Sequence, residues 1–204
     1  MNTHAVAPPT QQDFLGYAML SIQFLRLAEN SCDELVARGN ATVVVMDGTN
    51  PIDIHAQEQM TRWSDAQIAS PILFSYLHGV ELMLKAFLAH AERLPTKNHK
   101  LTGLLAQFLE DHGHSELATL LRQCVCGLQQ ESPLARFLSQ NDVTIDSWYE
   151  TLKYPSTKTR EALCRLALEY GGEDQVPFWV EVGASARQLR LAGVNYAREK
   201  GIVQ

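Results

Sequence analysis

Between Leu73 and Ala91, apolar residues fall at intervals of 4, 3, 4, 3 and 4: Leu73, Leu77, Val80, Leu84, Phe87 and Ala91. That spacing is the seam of a helix packed into a bundle. Leu82, Met83 and Leu88 widen the stripe. A helix from Pro71 to Arg93 is about 23 residues and roughly 35 Å long, enough for a central strut. Ser64 with Gln67, or Ser70-Pro71, offers its start.

The rest of the chain reads as further helices around that strut. Met1–Pro9 is a loose lead-in, and Thr10 with Asp13 caps a first helix. Its apolar positions run from Phe14 through Leu25 and Ala28 to Val36, and Gly39-Asn40 stops it near Arg38. Residues 39–63 form a long connection, in which Thr42–Met46 is β-branched and predicts a brief extended segment before turn residues. Leu94–Asn98 breaks the long helix. A helix then runs from about His99 to His112, with Leu101, Leu104, Leu105, Phe108 and Leu109 on one face. Ser115 caps another, Ser132-Pro133 and Asp142 or Thr144 start short ones, and Pro177 opens a last helix to about Lys200. Residues 156–176 fit helix and loop equally. The expectation is one all-α domain over residues 1–204: a bundle of four to five principal helices with a short extended insert.

Composition narrows the class. Of 204 residues, 46% are apolar, enough for a core without disulfides or structural metal. A net charge of −6 argues against coating nucleic acid by bulk charge and leaves a local basic groove open. Cys32, Cys124, Cys126 and Cys164 lack a CxxC pair, which points to reduced thiols and no zinc site. The start is not a signal peptide and no apolar run approaches 18 residues. The expectation is a cytoplasmic protein with no membrane contact, no metal and no cofactor.

Several side chains carry chemistry. His78, Glu81 and Lys85 lie at i, i+3 and i+7 on one face of the long helix. They read as a proton-transfer or metal site, though no second Glu-x-x-His pair supplies matching ligands, or as a salt-bridged face. His112 and His114 flank a helix end and lack an identified third metal ligand. Arg93 and His99 bracket a tight turn that also holds Lys97, with Lys100 next to His99. Cleavage of RNA without metal needs a base for the 2′-hydroxyl and a cation for the phosphate, and His99 and Arg93 supply both. The competing reading gives His99 a local bond and Arg93 to the end of the preceding helix. Trp148, Tyr149, Tyr154, Phe178 and Trp179 fit a core better than a base-stacking surface. Arg187, Arg190, Arg198 and Lys200 fit a solvated helix face. No P-loop, GxGxxG, GxSxG or HExxH occurs.

Three stretches together resemble the HEPN superfamily of helical-bundle proteins: His78-Gly-Val-Glu-Leu-Met-Leu-Lys-Ala-Phe-Leu88, Asn98-His-Lys-Leu101 and Tyr149-Glu-Thr-Leu-Lys-Tyr-Pro155. The resemblance spans about residues 68–156. It implies an α-helical bundle, often dimeric, tied to RNA or nucleotide biology, with many members in toxin or defence systems. Catalytic members cut RNA without metal through an Arg-x4–6-His motif across a dimer interface, and Arg93 with His99 matches that spacing. Here the motif lies earlier in the bundle than in catalytic members, and Lys100 stands where Asp is common. The resemblance therefore favours a non-catalytic binding module, a homodimer engaging RNA, a nucleotide or a protein partner. Lys97, Lys100, His78, Glu81 and Lys85 are then the binding candidates. A metal-independent endoribonuclease using Arg93 and His99 is the alternative, and a structural subunit of a larger assembly is the third.

Overall fold

Gly39 and Asn40 end the first helix, α1 (Gln11–Ala37), as their residue types demand. Both take left-handed backbone, with φ of 67° and 53°. Their amides bond back to the carbonyls of Val36 and Leu35 at 3.0 and 3.1 Å, which closes the helix end. The computed structural model describes residues 11–41, 54–93, 99–126, 133–140, 142–153 and 173–203. Within them follow α2 (Ile54–Thr61), α3 (Asp65–His90), α4 (Leu101–His112), α5 (Glu116–Cys126), α6 (Pro133–Gln140), α7 (Ile145–Lys153) and α8 (Val176–Glu199), with a 3-10 turn at Glu173–Gln175. No strand occurs among the described residues.

The all-α expectation holds, with differences in detail. The described residues form eight helices, against four to five principal ones expected. Only α1, α3 and α8 are long, with 27, 26 and 24 residues. The connection over residues 39–63 contains α2, whose Met60 is exposed and whose sequence has no continuous apolar stripe to announce it. The extended segment at Thr42–Met46 and the lead-in at residues 1–9 lie outside the described residues. So does most of 156–176, of which 173–176 are the 3-10 turn and the start of α8.

The strut α3 begins at Asp65, so Pro71 sits inside it. A proline there removes one backbone bond. The burial of Ile72, Leu73, Tyr76 and Leu77, each 3% exposed or less, offsets that loss. Ser64 is the N-cap, but its hydroxyl makes no cap bond. The start is held instead by Asn40, whose Oδ1 accepts the Asp65 amide at 2.8 Å. Asp65 Oδ2 accepts from Asn40 Nδ2 at 2.9 Å and from Trp179 Nε1 at 3.0 Å. One buried carboxylate thus ties the end of α1 to the starts of α3 and α8.

Helix α1 runs antiparallel to α3: the Phe14 and Phe87 rings are 5.7 Å apart, and Ser21 Oγ donates to the Gly79 carbonyl at 2.7 Å. A Cβ on Gly79 would lie 2.7 Å from Leu25 Cγ, so the close approach of the two helices needs glycine. Helix α8 runs parallel to α3, since Tyr76 meets Ser185 at 2.8 Å and Phe87 meets Tyr196 at 5.3 Å. Helices α4 and α7 pack on α3 as well. Among the described residues only α3 is long and apolar enough to cross a membrane, and 89% of its apolar window is buried in the bundle.

Candidate functional site

Glu81 faces away from the leucine seam yet is buried, with its side chain 2% exposed. A buried carboxylate needs partners, and Glu81 has several. Lys85, one turn on, donates to Oε1 at 2.6 Å. His99 Nδ1 lies 2.8 Å from the same oxygen, and Tyr149 donates its hydroxyl proton to Oε2 at 2.6 Å. Lys153 Nζ stands 3.9 Å from Oε2 and 3.6 Å over the Tyr149 ring, a cation–π contact. His78 Nδ1 is 2.8 Å from the Tyr149 oxygen and 3.5 Å from Glu81 Oε2. Burial opposes ionisation of Glu81, and the hydrogen bonds from His78, Lys85, Tyr149 and His99 outweigh it, holding its carboxyl well below the usual carboxylate range. Burial, and then the bond to the Glu81 carboxylate, push the Tyr149 phenol up, so Tyr149 serves as a donor.

These bonds assign both imidazole tautomers. An ionised carboxylate only accepts, so His99 carries its proton on Nδ1 and gives it to Glu81. The single Tyr149 proton goes to Glu81, so His78 Nδ1–H donates to the phenol oxygen. Each ring keeps Nε2 on the side turned away from the buried carboxylate. The ring of His78 is set by aromatic neighbours: Phe74 stacks on it at 5.3 Å and Phe24 meets it edge-on at 4.7 Å.

Above this cluster lies an open groove of about 770 Å³ between α3, His99 and α7. Phe74, His78, Lys85, His99, Glu150 and Lys153 are among its walls. It presents two ammonium groups, two imidazoles, the Glu150 carboxylate and the Phe74 ring beside a buried carboxylate already bonded from several sides. Such a surface takes an anion with an apolar or ring portion. Among the described residues no group of three or more His, Cys, Asp or Glu side chains is placed to hold a metal ion.

The candidate residues separate into two sets. His78, Glu81, Lys85 and His99 converge. Arg93 does not join His99 within the chain. Glu92 takes left-handed backbone at φ 56° and turns the chain, and the Arg93 guanidinium donates to Glu110 and to Asp111, the latter at 2.8 Å. Those carboxylates sit at the end of α4, whereas His99 precedes its start, about 15 Å away along the helix axis. Lys100 is the exposed N-cap residue of α4. Lys97 lies outside the described residues. Sequence reasoning about sites misses Tyr149 and Lys153, whose one signal is their i, i+4 pairing on a short amphipathic helix.

Other expectations resolve elsewhere. Trp148, Tyr149, Phe178 and Trp179 are buried as core. Arg187 and Arg190 are not simply a solvated face: they clamp buried Glu29 at 2.6 and 2.9 Å, and Arg187 also reaches Asp33 at 3.0 Å. His112 pairs with Tyr196 at 2.8 Å, while His114 is exposed. A separate apolar groove of about 200 Å³, with Phe14, Met19, Met83, Phe87 and Val194 among its walls, lies between α1, α3 and α8.

No protein-family model, no curated protein and no solved structure matches the chain.

Proposed function

We propose that this chain is a HEPN-like, non-catalytic binding module whose Glu81 groove takes the phosphate of a nucleotide or an RNA strand. The observation that carries the reading is the convergence of Lys85, Lys153, His78 and His99 on one open groove beside Phe74. Lysine and imidazolium groups neutralise phosphate, and an aromatic ring next to them suits a base. A second observation supports the same reading. The three stretches that resemble HEPN proteins, His78–Leu88, Asn98–Leu101 and Tyr149–Pro155, contribute the side chains that meet around Glu81. The test is binding of a fluorescent single-stranded RNA to the wild type and to Lys153→Met, which loses one ammonium from the groove. Binding should weaken in the variant and with rising salt. A folded wild type that fails to bind RNA or nucleotide at low salt at any pH between about 5.5 and 8 overturns the reading.

One observation favours endoribonuclease chemistry as a second reading. Glu81 holds His99 through Nδ1, which leaves the Nε2 lone pair free to accept a 2′-hydroxyl proton. Lys85 and Lys153, rather than Arg93 of the same chain, are then the cations beside the phosphate. RNA incubated with EDTA decides between the two readings. Cleavage by the wild type and not by His99→Ala selects the enzyme, and intact RNA with retained binding selects the module.

A further inference from the structure

The charges around the groove cancel when both imidazoles are neutral. Lys85 and Lys153 supply two positive charges, and Glu81 and Glu150 supply two negative ones, with Glu150 bonded to Lys153 at 3.3 Å. An anion entering that groove meets no net attraction from these four groups. The two histidines alter this. Each already spends Nδ1–H on a fixed inner partner, His99 on Glu81 and His78 on Tyr149. A proton added at Nε2 breaks neither bond. It turns the outward ring nitrogen from an acceptor into a donor and adds one positive charge to the groove.

We propose that anion capture in this groove is coupled to proton uptake by His78 and His99, so the site binds phosphate tightly only when the imidazoles are charged. The proposal rests on the phosphate-binding reading above and adds its regulation. Imidazole is the ordinary side chain whose charge changes between about pH 5 and 8. Facing the two rings, on α3 stand Glu81 and Lys85, on α7 stand Tyr149, Glu150 and Lys153, and on α1 the neighbour of His78 is the uncharged Phe24 ring. Lys100 follows His99 directly and is exposed. Lys85 lies 3.2 Å from His99 Nδ1 and Glu81 2.8 Å from it, both against the inner nitrogen of the ring. A bound phosphate placed against Nε2 accepts a hydrogen bond from the protonated ring and none from the neutral one. Binding and protonation therefore reinforce each other.

The test is calorimetric titration of the full chain with unlabelled oligouridylate between pH 5.5 and 8, at constant ionic strength. Neither its phosphodiesters nor its bases titrate in that range. The expected result is an affinity that falls with rising pH, by up to about tenfold per pH unit for each coupled imidazole. Proton uptake on binding should also appear as a heat that depends on the ionisation enthalpy of the buffer. His99→Gln and His78→Gln should each flatten the pH dependence. The buffer comparison on the wild type stands even if a variant fails to fold. Binding with equal affinity across the range and no proton uptake overturns the coupling and leaves the phosphate reading standing. Absence of binding at every pH overturns both.

Discussion

Replacing Glu81 with alanine should be among the most costly single changes in this bundle. The carboxylate is 2% exposed and Lys85 is 10% exposed, so the loss strands an ammonium that water barely reaches. It also removes the acceptor of the Tyr149 hydroxyl and of His99 Nδ1. Breaking a buried pair from one side costs about 3–5 kcal/mol, against a total stability of roughly 5–15 kcal/mol. For a chain of this size that corresponds to a fall in Tm of roughly 6–20 °C. The assay is urea unfolding followed by circular dichroism for the wild type, Glu81→Ala, Lys85→Met and the double variant. Removing both charges together leaves neither group stranded, so the double variant should be more stable than the sum of the single losses. The pH profile gives a second check. The Glu81 pKa is depressed in the fold, so its contribution is full above the unfolded carboxyl value of about 4.3. That contribution is lost as pH falls toward the depressed value, and the corresponding part of the acid limb should vanish in Glu81→Gln. A loss below about 1 kcal/mol in Glu81→Ala, or strict additivity in the cycle, refutes the description of Glu81 as the anchor of the cluster.

Other parts of the structure make separate demands. Gly79→Ala should cost about 1–3 kcal/mol in the same unfolding assay, because its Cβ meets Leu25 Cγ at 2.7 Å. Glu29→Gln should cost about 1.5–3 kcal/mol, through weakened charge-assisted bonds to Arg187 and Arg190. Burial opposes ionisation of Glu29 and the two arginines outweigh it, holding its pKa down, so this contribution too is present at neutral pH and fades on acidification. Of the three described cysteines, Cys126 should react with a thiol reagent in the native protein. Cys32 and Cys124, buried and with thiols pushed up to about 12 by that burial, should react only after unfolding.

What the sequence shows and what it hides follow from the range of the interactions. The seam from Leu73 to Phe87 is local and periodic, so the strut was legible, as was the stop at Gly39-Asn40. Helix α2 was not, because Ile54, Ala56 and Met60 are its only apolar residues and form no continuous stripe. The i, i+3, i+7 spacing put His78, Glu81 and Lys85 on one face, and the structure keeps them together. Within one chain Arg93 and His99 stand apart, because closeness along the sequence is not closeness in space. Helix α4 runs in the same sense as α3, so the two residues meet opposite ends of it. Tyr149 reads from sequence as core, and Lys153 as part of a stretch that resembles HEPN proteins. Neither was linked to Glu81, since α7 reaches it across 68 or more positions. The same distance effect hid the clamp on Glu29, whose arginines lie 158 and 161 positions away.

The central claim is that phosphate-bearing ligands enter at the Glu81 groove. The most direct measurement is an NMR titration of the histidine ring Hε1 resonances with single-stranded RNA in the presence of EDTA. His78 and His99 line the groove, while His112 pairs with Tyr196 on α8 and lines neither it nor the Glu81 cluster. The resonances of His78 and His99 should shift with a shared dissociation constant while that of His112 stays in place. RNA binding that leaves both groove histidines unmoved would contradict it.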